Sequence, residues 1–424
     1  MRFLFKSDTV KGSPASIPLN PRPKGSMPSS APPRRAGPRP AATAEGAPRS
    51  FRGAGNALIV GGGIAGLATA ISLSRLGWHC TILERDPHGH QMGHGLLLPV
   101  AGRRSLERLK LVGIETASSP VESFALHKRD GSPLRHFSIP GSLGLLRRDL
   151  VELLQKALPT SVRRETGQVK HLEPDGAGGF QAVDARGWRR RADLIVAADG
   201  VHSACRGALF PKACLTPERV TELVLSLVDP ALVQELAGSC RKFHDPTSGV
   251  ALGLLPCRNG LLVAFAQFAT ARHPAPEQEG EVLPFLRRLF GGWNPLLEQL
   301  LEELKPETSH VWHTTDLDPL PHLHRSNVVL VGDSAHPMLP FTSQGSAAAL
   351  EDALCLAEEL GGAQGSSGHE LGRALEAYSR RRRMELLPLL QEGRALRHQF
   401  LDPEAATRPV APLAGFLPTP SAEQ

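Results

Sequence analysis

Hydrophobic positions follow three regimes along this chain. The first is a set of short, mainly apolar runs: Ala57-Leu58-Ile59-Val60, Cys80-Thr81-Ile82-Leu83, Leu194-Ile195-Val196-Ala197-Ala198 and Val328-Val329-Leu330-Val331. Runs this short, bounded by glycine or charge, predict strands buried on both faces, as in a parallel sheet. Between the first two, Leu67, Ala70, Ile71, Leu73 and Leu76 recur with a helical period, and Gly77 follows as the residue that closes the helix. The second regime alternates. Phe124 to Ile139, with Asp130-Gly131 at its centre, predicts a hairpin. Residues 168–198 read as strands punctuated by Asp175-Gly176 and Arg186-Gly187, and residues 220–270 as an antiparallel sheet whose best strand is Leu261 to Phe268. The third regime is helical: 145–158, with Leu146, Leu150, Leu153, Leu154 and Leu158 on its apolar side, then 281–305, 346–360 and 369–400. Pro388 is expected to kink or end the last of these. No internal repeat is visible.

The two ends follow no such pattern. Residues 1–55 carry ten prolines, seven serines and ten Lys/Arg against only Asp8 and Glu45, a net charge of +8. The whole chain is +6, so the remainder is −2, and the pI near 9.2 is made by the first 55 residues. That is a disordered extension or an organelle transit peptide, not the folded basic face of a nucleic-acid-binding domain. Residues 402–424 hold five prolines and read as a loose tail. No predominantly apolar run is long enough for a transmembrane helix, and Phe3-Leu4-Phe5 is too short for a secretory leader. The six cysteines are scattered without a C-x-x-C pair, which excludes a zinc ribbon or disulfide scaffold and fits a reducing compartment. An intracellular protein is expected: cytoplasmic, or plastid or mitochondrial if the extension is a transit peptide. With 424 residues, two to three domains are expected.

Three glycine- or aspartate-centred motifs end predicted strands. In Gly61-Gly62-Gly63-Ile64-Ala65-Gly66, Gly61 makes the tight turn and Gly63 lets a pyrophosphate approach the backbone. Gly66 lets the helix pack close to the strand, and the helix N-terminus at Ile64 and Ala65 offers free N–H groups. Glu84, 21 residues after Gly63, stands where a carboxylate accepts from a ribose hydroxyl. That carboxylate would repel a 2′-phosphate, which favours FAD or NAD over NADP, although Arg85 beside it could reverse the preference. The second motif is Asp199-Gly200-Val201-His202-Ser203-Ala204-Cys205-Arg206. The third is Gly332-Asp333-Ser334-Ala335-His336-Pro337, running on through Met338-Leu339-Pro340-Phe341-Thr342-Ser343-Gln344-Gly345-Ser346 into a helix with Glu351-Asp352. Each places an aspartate at the carboxyl end of a strand, where open α/β sheets bind ligands. Asp333 suits a polyol hydroxyl, and the N–H groups near Gln344 and Gly345 suit a partial negative charge.

With these motifs in this order, the sequence resembles the group A flavoprotein monooxygenases of the p-hydroxybenzoate hydroxylase fold. Within them the segment His336–Gly345 is most similar to the salicylate hydroxylase and 6-hydroxynicotinate monooxygenase branch. The resemblance spans about residues 57–395 and includes Gly93-His94-Gly95 followed by Pro99, Arg147-x-x-Leu150-x-x-x-Leu154, and Tyr378 to Met384. It implies an α/β fold: a Rossmann-like FAD-binding domain interleaved with an antiparallel-sheet substrate domain, and a C-terminal helix. The expected division is 56–117, 145–200 and 312–365 for FAD, 118–144 and 201–311 for substrate, and 366–401 for the terminal helix. Residues 1–55 and 402–424 lie outside it.

The resemblance also implies roles. Gly61, Gly63 and Gly66, with Ile64 and Ala65, would hold the pyrophosphate. Glu84, with Arg85 beside it, would hold the adenosine ribose, and Arg147 would reach the phosphate or ribityl region. Asp199-Gly200 would serve both FAD and a passing NAD(P)H. Gly332-Asp333 would bind the ribityl chain, and Pro340, Gln344, Gly345 and Ser346 would lie beside the isoalloxazine. Ser343 stands where the family often has glycine. The implied reaction uses NAD(P)H and O₂ to hydroxylate a small aromatic or conjugated substrate through a flavin hydroperoxide. No second G-x-G-x-x-G follows a strand, so NAD(P)H is expected only as a transient co-substrate. No metal is implied, and a monomer or homodimer is expected.

An aromatic substrate usually needs a base to make it electron-rich. The only tyrosine, Tyr378, falls on the C-terminal helix outside the expected pocket, which leaves His94 and His244 as candidates, with Pro340 beside the flavin. Arg380–Arg383 reads as a solvated, partly paired helix face and His322-Leu323-His324 as loop. Other flavin chemistries stay open: a reductase or dehydrogenase, an epoxidase or reductase of a more apolar isoprenoid-type substrate, or a non-catalytic FAD-binding protein. The W-x-W signature of halogenases is missing.

Overall fold

A computed structural model of the chain describes residues 55–86, 95–245, 247–362 and 368–402. The basic extension before residue 55, the segment containing His94, and the tail after residue 402 lie outside the described residues.

The apolar runs form the centre of a six-stranded sheet. Its order is His324–Arg325, Val328–Leu330, Leu194–Ala197, Asn56–Val60, His79–Glu84 and Arg163–Thr166, all parallel except the short first edge strand. Leu194–Ala197 and Val328–Leu330 are buried throughout, as strands covered on both faces must be. The helix Ile64–Arg75 follows the central strand and packs against the helix Gly345–Gly362. Gly77, at φ +85°, ends the first helix, its N–H donating to the Ser74 carbonyl at 3.0 Å. The Asp175-Gly176 and Arg186-Gly187 turns separate the strands of a small meander, Val169–Pro174, Phe180–Asp184 and Arg189–Arg190.

The alternating segments build an eight-stranded sheet in the order His310–His313, Val220–Val228, Leu261–Ala269, Val250–Pro256, Ser239–Asp245, Ser118–Lys128, Pro133–Leu146, Gly95–Leu98. All pairs are antiparallel except Ser239–Asp245 with Ser118–Lys128. The sheet takes in Gly95–Leu98, from the stretch assigned in sequence to the nucleotide-binding part, because these residues pair with Leu143–Leu146 at the end of the hairpin. Period-two alternation sorts the side chains. Leu223, Leu225, Leu252, Leu254, Leu262, Ala264, Ala266 and Phe268 face a core filled by Phe285, Leu286, Phe290, Trp293 and Leu297. The opposite face lines a cavity described below.

Three expectations change in detail. Residues 281–305 form two helices, Val282–Phe290 and Pro295–Glu303. Gly292 at φ +75° breaks them apart, and Asn294 starts the second by accepting from the Leu297 N–H at 3.2 Å. A short helix, Pro230–Leu236, capped by Asp229, interrupts the 220–270 sheet. The terminal helix runs unbroken from Gly368 to Leu401 through Pro388. Pro388 and Met384, whose carbonyl loses its partner, are both exposed, so water can satisfy that carbonyl. Among the described residues no helix is long and apolar enough to cross a membrane. None of their His, Cys, Asp and Glu side chains gather into a group of three or more able to hold a metal ion.

Candidate functional site

The first glycine motif is built around close backbone approach. Gly61 sits at φ +105°, and a Cβ there would lie 2.2 Å from the Ala198 carbonyl oxygen. A Cβ on Gly66 would lie 2.0 Å from the Gly61 oxygen, so the helix can sit this near the strand only with glycine present. The helix starts at Ile64 without a side-chain cap, leaving its first N–H groups for a ligand. Glu84 braces the loop: its carboxylate accepts from Gly62 N at 2.6 Å and from Asp86 N at 2.9 Å. Arg85 is exposed next to it.

The two aspartate motifs meet beside this loop. Asp199 accepts from Ser203 Oγ at 2.5 Å and from Cys205 N at 3.0 Å, shaping its own turn. Ser203 caps the helix Ala204–Leu209. Buried Arg206 ties the motifs together. Its guanidinium donates to the carbonyls of Val201 at 2.5 Å, Asp333 at 3.2 Å and Ser334 at 3.0 Å, a role its sequence position did not signal. Asp333 is open to the cavity, but the protein packed around its carboxyl strips it of water on the other sides and pushes it up from the usual carboxylate range, opposed by His336 and Arg147.

Behind Asp333 lies an ionic cluster. Asp352 is fully buried and accepts from Gly332 N at 2.6 Å, His336 Nε2 at 2.6 Å and Arg382 Nε at 2.7 Å. Burial alone would raise its pKa, but His336 and Arg382 outweigh it and hold the carboxyl down to about 2. Arg382, 3 % exposed, is therefore not part of a solvated arginine face. The helical period turns it inward, while Arg381 pairs outside with Glu358 at 2.9 Å and Glu385 at 3.2 Å. Tyr378 is buried too, donating to the Leu330 carbonyl at 3.0 Å, away from the cavity. His322 and His324 lie 3.8 and 3.7 Å from Glu376 on the terminal helix, a partner that the local sequence did not reveal.

One cavity joins these loops to the eight-stranded sheet. Gly63, Ile64, Ala65, Arg147, Gly200, Asp333, Pro340, Gln344, Gly345 and Ser346 of the expected set line it. Gly61, Gly66 and Gly332 stand behind it as spacers, and Glu84, Arg85 and Asp199 are not among its lining residues. From the sheet come the apolar Phe124, Val224, Leu255, Val263 and Phe265 and the polar Glu222, Lys242 and Gln267. His244 is not among the lining residues, which corrects its candidacy as a base. It stacks on Phe400 at 5.4 Å between centroids, and burial lowers its pKa to about 4. From its strand, Lys242, two residues earlier, and Cys240 line the cavity instead.

The loop end of the cavity fits a flavin dinucleotide. A Cβ on Gly200 or Gly345 would meet no protein atom within 4 Å, and one on Gly63 only Arg147 Nη2 at 3.7 Å. Gln344 Nε2 is buried there without a hydrogen-bond partner. Open glycine cradles, an orphaned amide, an uncapped helix start and a cation are what a pyrophosphate and a polar ring edge require.

Comparison with known proteins agrees. The family described as "FAD binding domain" matches residues 55–386. The chain is 30% identical over 367 residues to 3-amino-4-hydroxybenzoate 2-monooxygenase of Streptomyces platensis, covering 82% of this chain and 88% of that one. It is 29% identical over 357 residues to salicylate hydroxylase of Pseudomonas putida, covering 77% and 81%. A crystal structure of a Klebsiella pneumoniae HpxO variant complexed with FAD superposes with a TM-score of 0.73 at 25% identity, covering 83% of this chain and 92% of that one. The chain therefore belongs to the FAD-binding-domain family, among the FAD-dependent aromatic monooxygenases of the p-hydroxybenzoate hydroxylase fold, with FAD as its cofactor.

Proposed function

We propose that this monooxygenase uses NAD(P)H and O₂ to hydroxylate a small aromatic or conjugated substrate lying on the face of the eight-stranded sheet. The observation that carries the reading is one cavity that has a nucleotide-type cradle at one end and an apolar trough with a short polar edge at the other. The trough residues would hold a flat ring and keep water from it. Bound FAD would supply the two-electron exchange with NAD(P)H and the activation of O₂. Relatives named for 3-amino-4-hydroxybenzoate and salicylate support an aromatic substrate.

The chain's own part is binding, orientation and exclusion of solvent. Gly61, Gly63, Gly66, Ile64 and Ala65 would take the pyrophosphate, with Arg147 as its counter-charge. Glu84, with Arg85 beside it, would take the adenosine ribose. Asp333 would take the ribityl hydroxyls, and the N–H groups of Gln344, Gly345 and Ser346, with Pro340, would take the ring edge. Asp199-Gly200 would shape the approach used by NAD(P)H, which visits rather than resides.

The test is NADH and NADPH consumption by the FAD-loaded full chain in air, with a panel of phenolic and heteroaromatic acids and isotopically labelled O₂. Substrate-stimulated consumption with label in the product is expected. Consumption that no compound stimulates, with no labelled product, indicates a reductase or oxidase. Bound FAD without any turnover indicates a binding protein.

A further inference from the structure

The cavity holds two cations among the described residues, Arg147 and Lys242. Arg147 stands at the glycine loop, against Gly63. Lys242 stands at the other end, on the sheet, where no part of a dinucleotide's phosphate would reach in the reading above. Its Nζ donates to Gln267 Oε1 at 2.5 Å, and Gln267 Nε2 donates to Glu222 Oε2 at 2.8 Å.

Strand register explains how three residues so far apart in sequence meet. Glu222 and Gln267 are direct cross-strand partners. Lys242 pairs with Gly253 on the intervening Val250–Pro256 strand. The cavity-facing positions of that strand beside Lys242 and Gln267 are Gly253, whose open side the Phe265 ring occupies, and Ala251, whose side chain is a single methyl, and the lysine spans the strand to reach Gln267. Gln267 is 2 % and Glu222 7 % exposed, which fixes the amide between them. Glu222 accepts from the amide nitrogen and so turns the amide oxygen toward Lys242.

Lys242 is half-buried beside two aromatic rings. Its Nζ lies 5.3 Å from the ring centre of Phe341 and 5.6 Å from that of Phe400. Burial lowers its pKa to about 8, opposed by Glu222. An ammonium has three donors, and Gln267 takes one. The aromatic rings offer faces, which leave the other N–H groups available to an anionic oxygen.

We propose that Lys242, oriented by the Gln267–Glu222 pair, is the substrate-selecting residue: it binds the anionic oxygen, carboxylate or ionised ring hydroxyl, of an aromatic acid whose ring lies on Phe265 and Val224. This rests on the monooxygenase reading for what happens to the bound acid, but the binding itself can be measured without turnover. Gln267 and Glu222 are positioning residues, acting through the lysine.

The test is calorimetric titration of the FAD-loaded full chain with benzoate, salicylate and 2-aminobenzoate, each against its neutral amide, and with 4-nitrophenol against 4-nitroanisole. Wild type is expected to bind at least one acid about tenfold or more tighter than its neutral analogue, the worth of one charge-assisted hydrogen bond. The carboxylate and phenolate arms tell which oxygen is read. Lys242→Met should abolish that preference with FAD content unchanged, and Lys242→Arg should keep part of it. No preference in either arm for wild type, or an undiminished preference in Lys242→Met, overturns the proposal. Acid preference without product in the labelled-O₂ assay supports the site and refutes the monooxygenase reading. Labelled product from neutral and acidic substrates alike does the reverse.

Discussion

Replacing Asp352 by Asn isolates the charge at the centre of the Gly332-Asp333 turn. The carboxylate is fully buried and faces His336 Nε2 at 2.6 Å and Arg382 Nε at 2.7 Å. Asn keeps the size and one acceptor but leaves the buried Arg382 guanidinium with only the half-exposed Glu385 as a charged partner. Breaking a buried pair by removing one partner costs about 3–5 kcal/mol, so the urea midpoint of the variant should fall by the corresponding amount. FAD affinity should fall with it, because the one oxygen of Asn cannot serve Gly332 N, His336 Nε2 and Arg382 Nε together, which loosens the turn that carries Asp333. Combining Asp352→Leu with Arg382→Met should recover most of the stability, since neither charge is then buried alone. The pH dependence has a definite sign. A carboxyl held at about 2, against 3.8 for the free group, stabilises the fold fully above about pH 4 and loses that contribution as pH falls toward 2. The gap between wild type and Asp352→Asn should therefore stay constant down to about pH 4 and close below it. A variant within about 1 kcal/mol of wild type at neutral pH, a cost no larger than an average substitution, would refute this reasoning.

Other substitutions separate the cavity's two ends. Gly345→Ala should leave the stability of the FAD-free protein unchanged, because its Cβ meets no protein atom within 4 Å, yet weaken FAD binding about tenfold or more by entering the space meant for the ligand. Fluorescence titration of FAD alongside a thermal melt checks both halves. Gly66→Ala should lower stability and FAD content together, its Cβ falling 2.0 Å from the Gly61 oxygen, and the same pair of measurements applies. Gly253→Ala should displace the Phe265 ring, whose Cζ would lie 1.9 Å from the new Cβ. The expected result is a changed KM for the aromatic substrate with FAD content intact; loss of FAD instead would contradict the placement of Phe265 in the trough.

The parts of this fold that could be read from the chain are those set by local demands. Gly61 and Gly66 answer contacts with Ala198 and with each other, and the strands around them are short apolar runs that admit one interpretation. The polar end of the substrate trough could not be read this way. Lys242 lies 25 residues from Gln267, which lies 45 from Glu222, and only the register of four strands brings them together. His244 was a reasonable candidate because it has the right chemistry in the right segment, but Phe400, from the far end of the chain, stacks on it. Arg382 looked like a surface charge, and Arg206 carried no signal of its role, for a similar reason: their partners, Asp352 and the Asp333 and Ser334 carbonyls, belong to distant segments. Pro388 does not end its helix, one of the two outcomes expected of it, since both Pro388 and the residue whose carbonyl it frees are exposed.

The fold places a nucleotide-type cradle and an apolar trough at the two ends of one cavity, and the proposed chemistry requires both to be filled at once. The most direct measurement is mass spectrometry of the product formed by the purified FAD-loaded chain from NAD(P)H, isotopically labelled O₂ and an aromatic acid. One labelled oxygen atom in the product, absent when either NAD(P)H or the acid is left out, is the expected result. A chain that cannot be reconstituted with FAD, or one that oxidises NAD(P)H and puts no labelled oxygen into any acid of the panel, would contradict it.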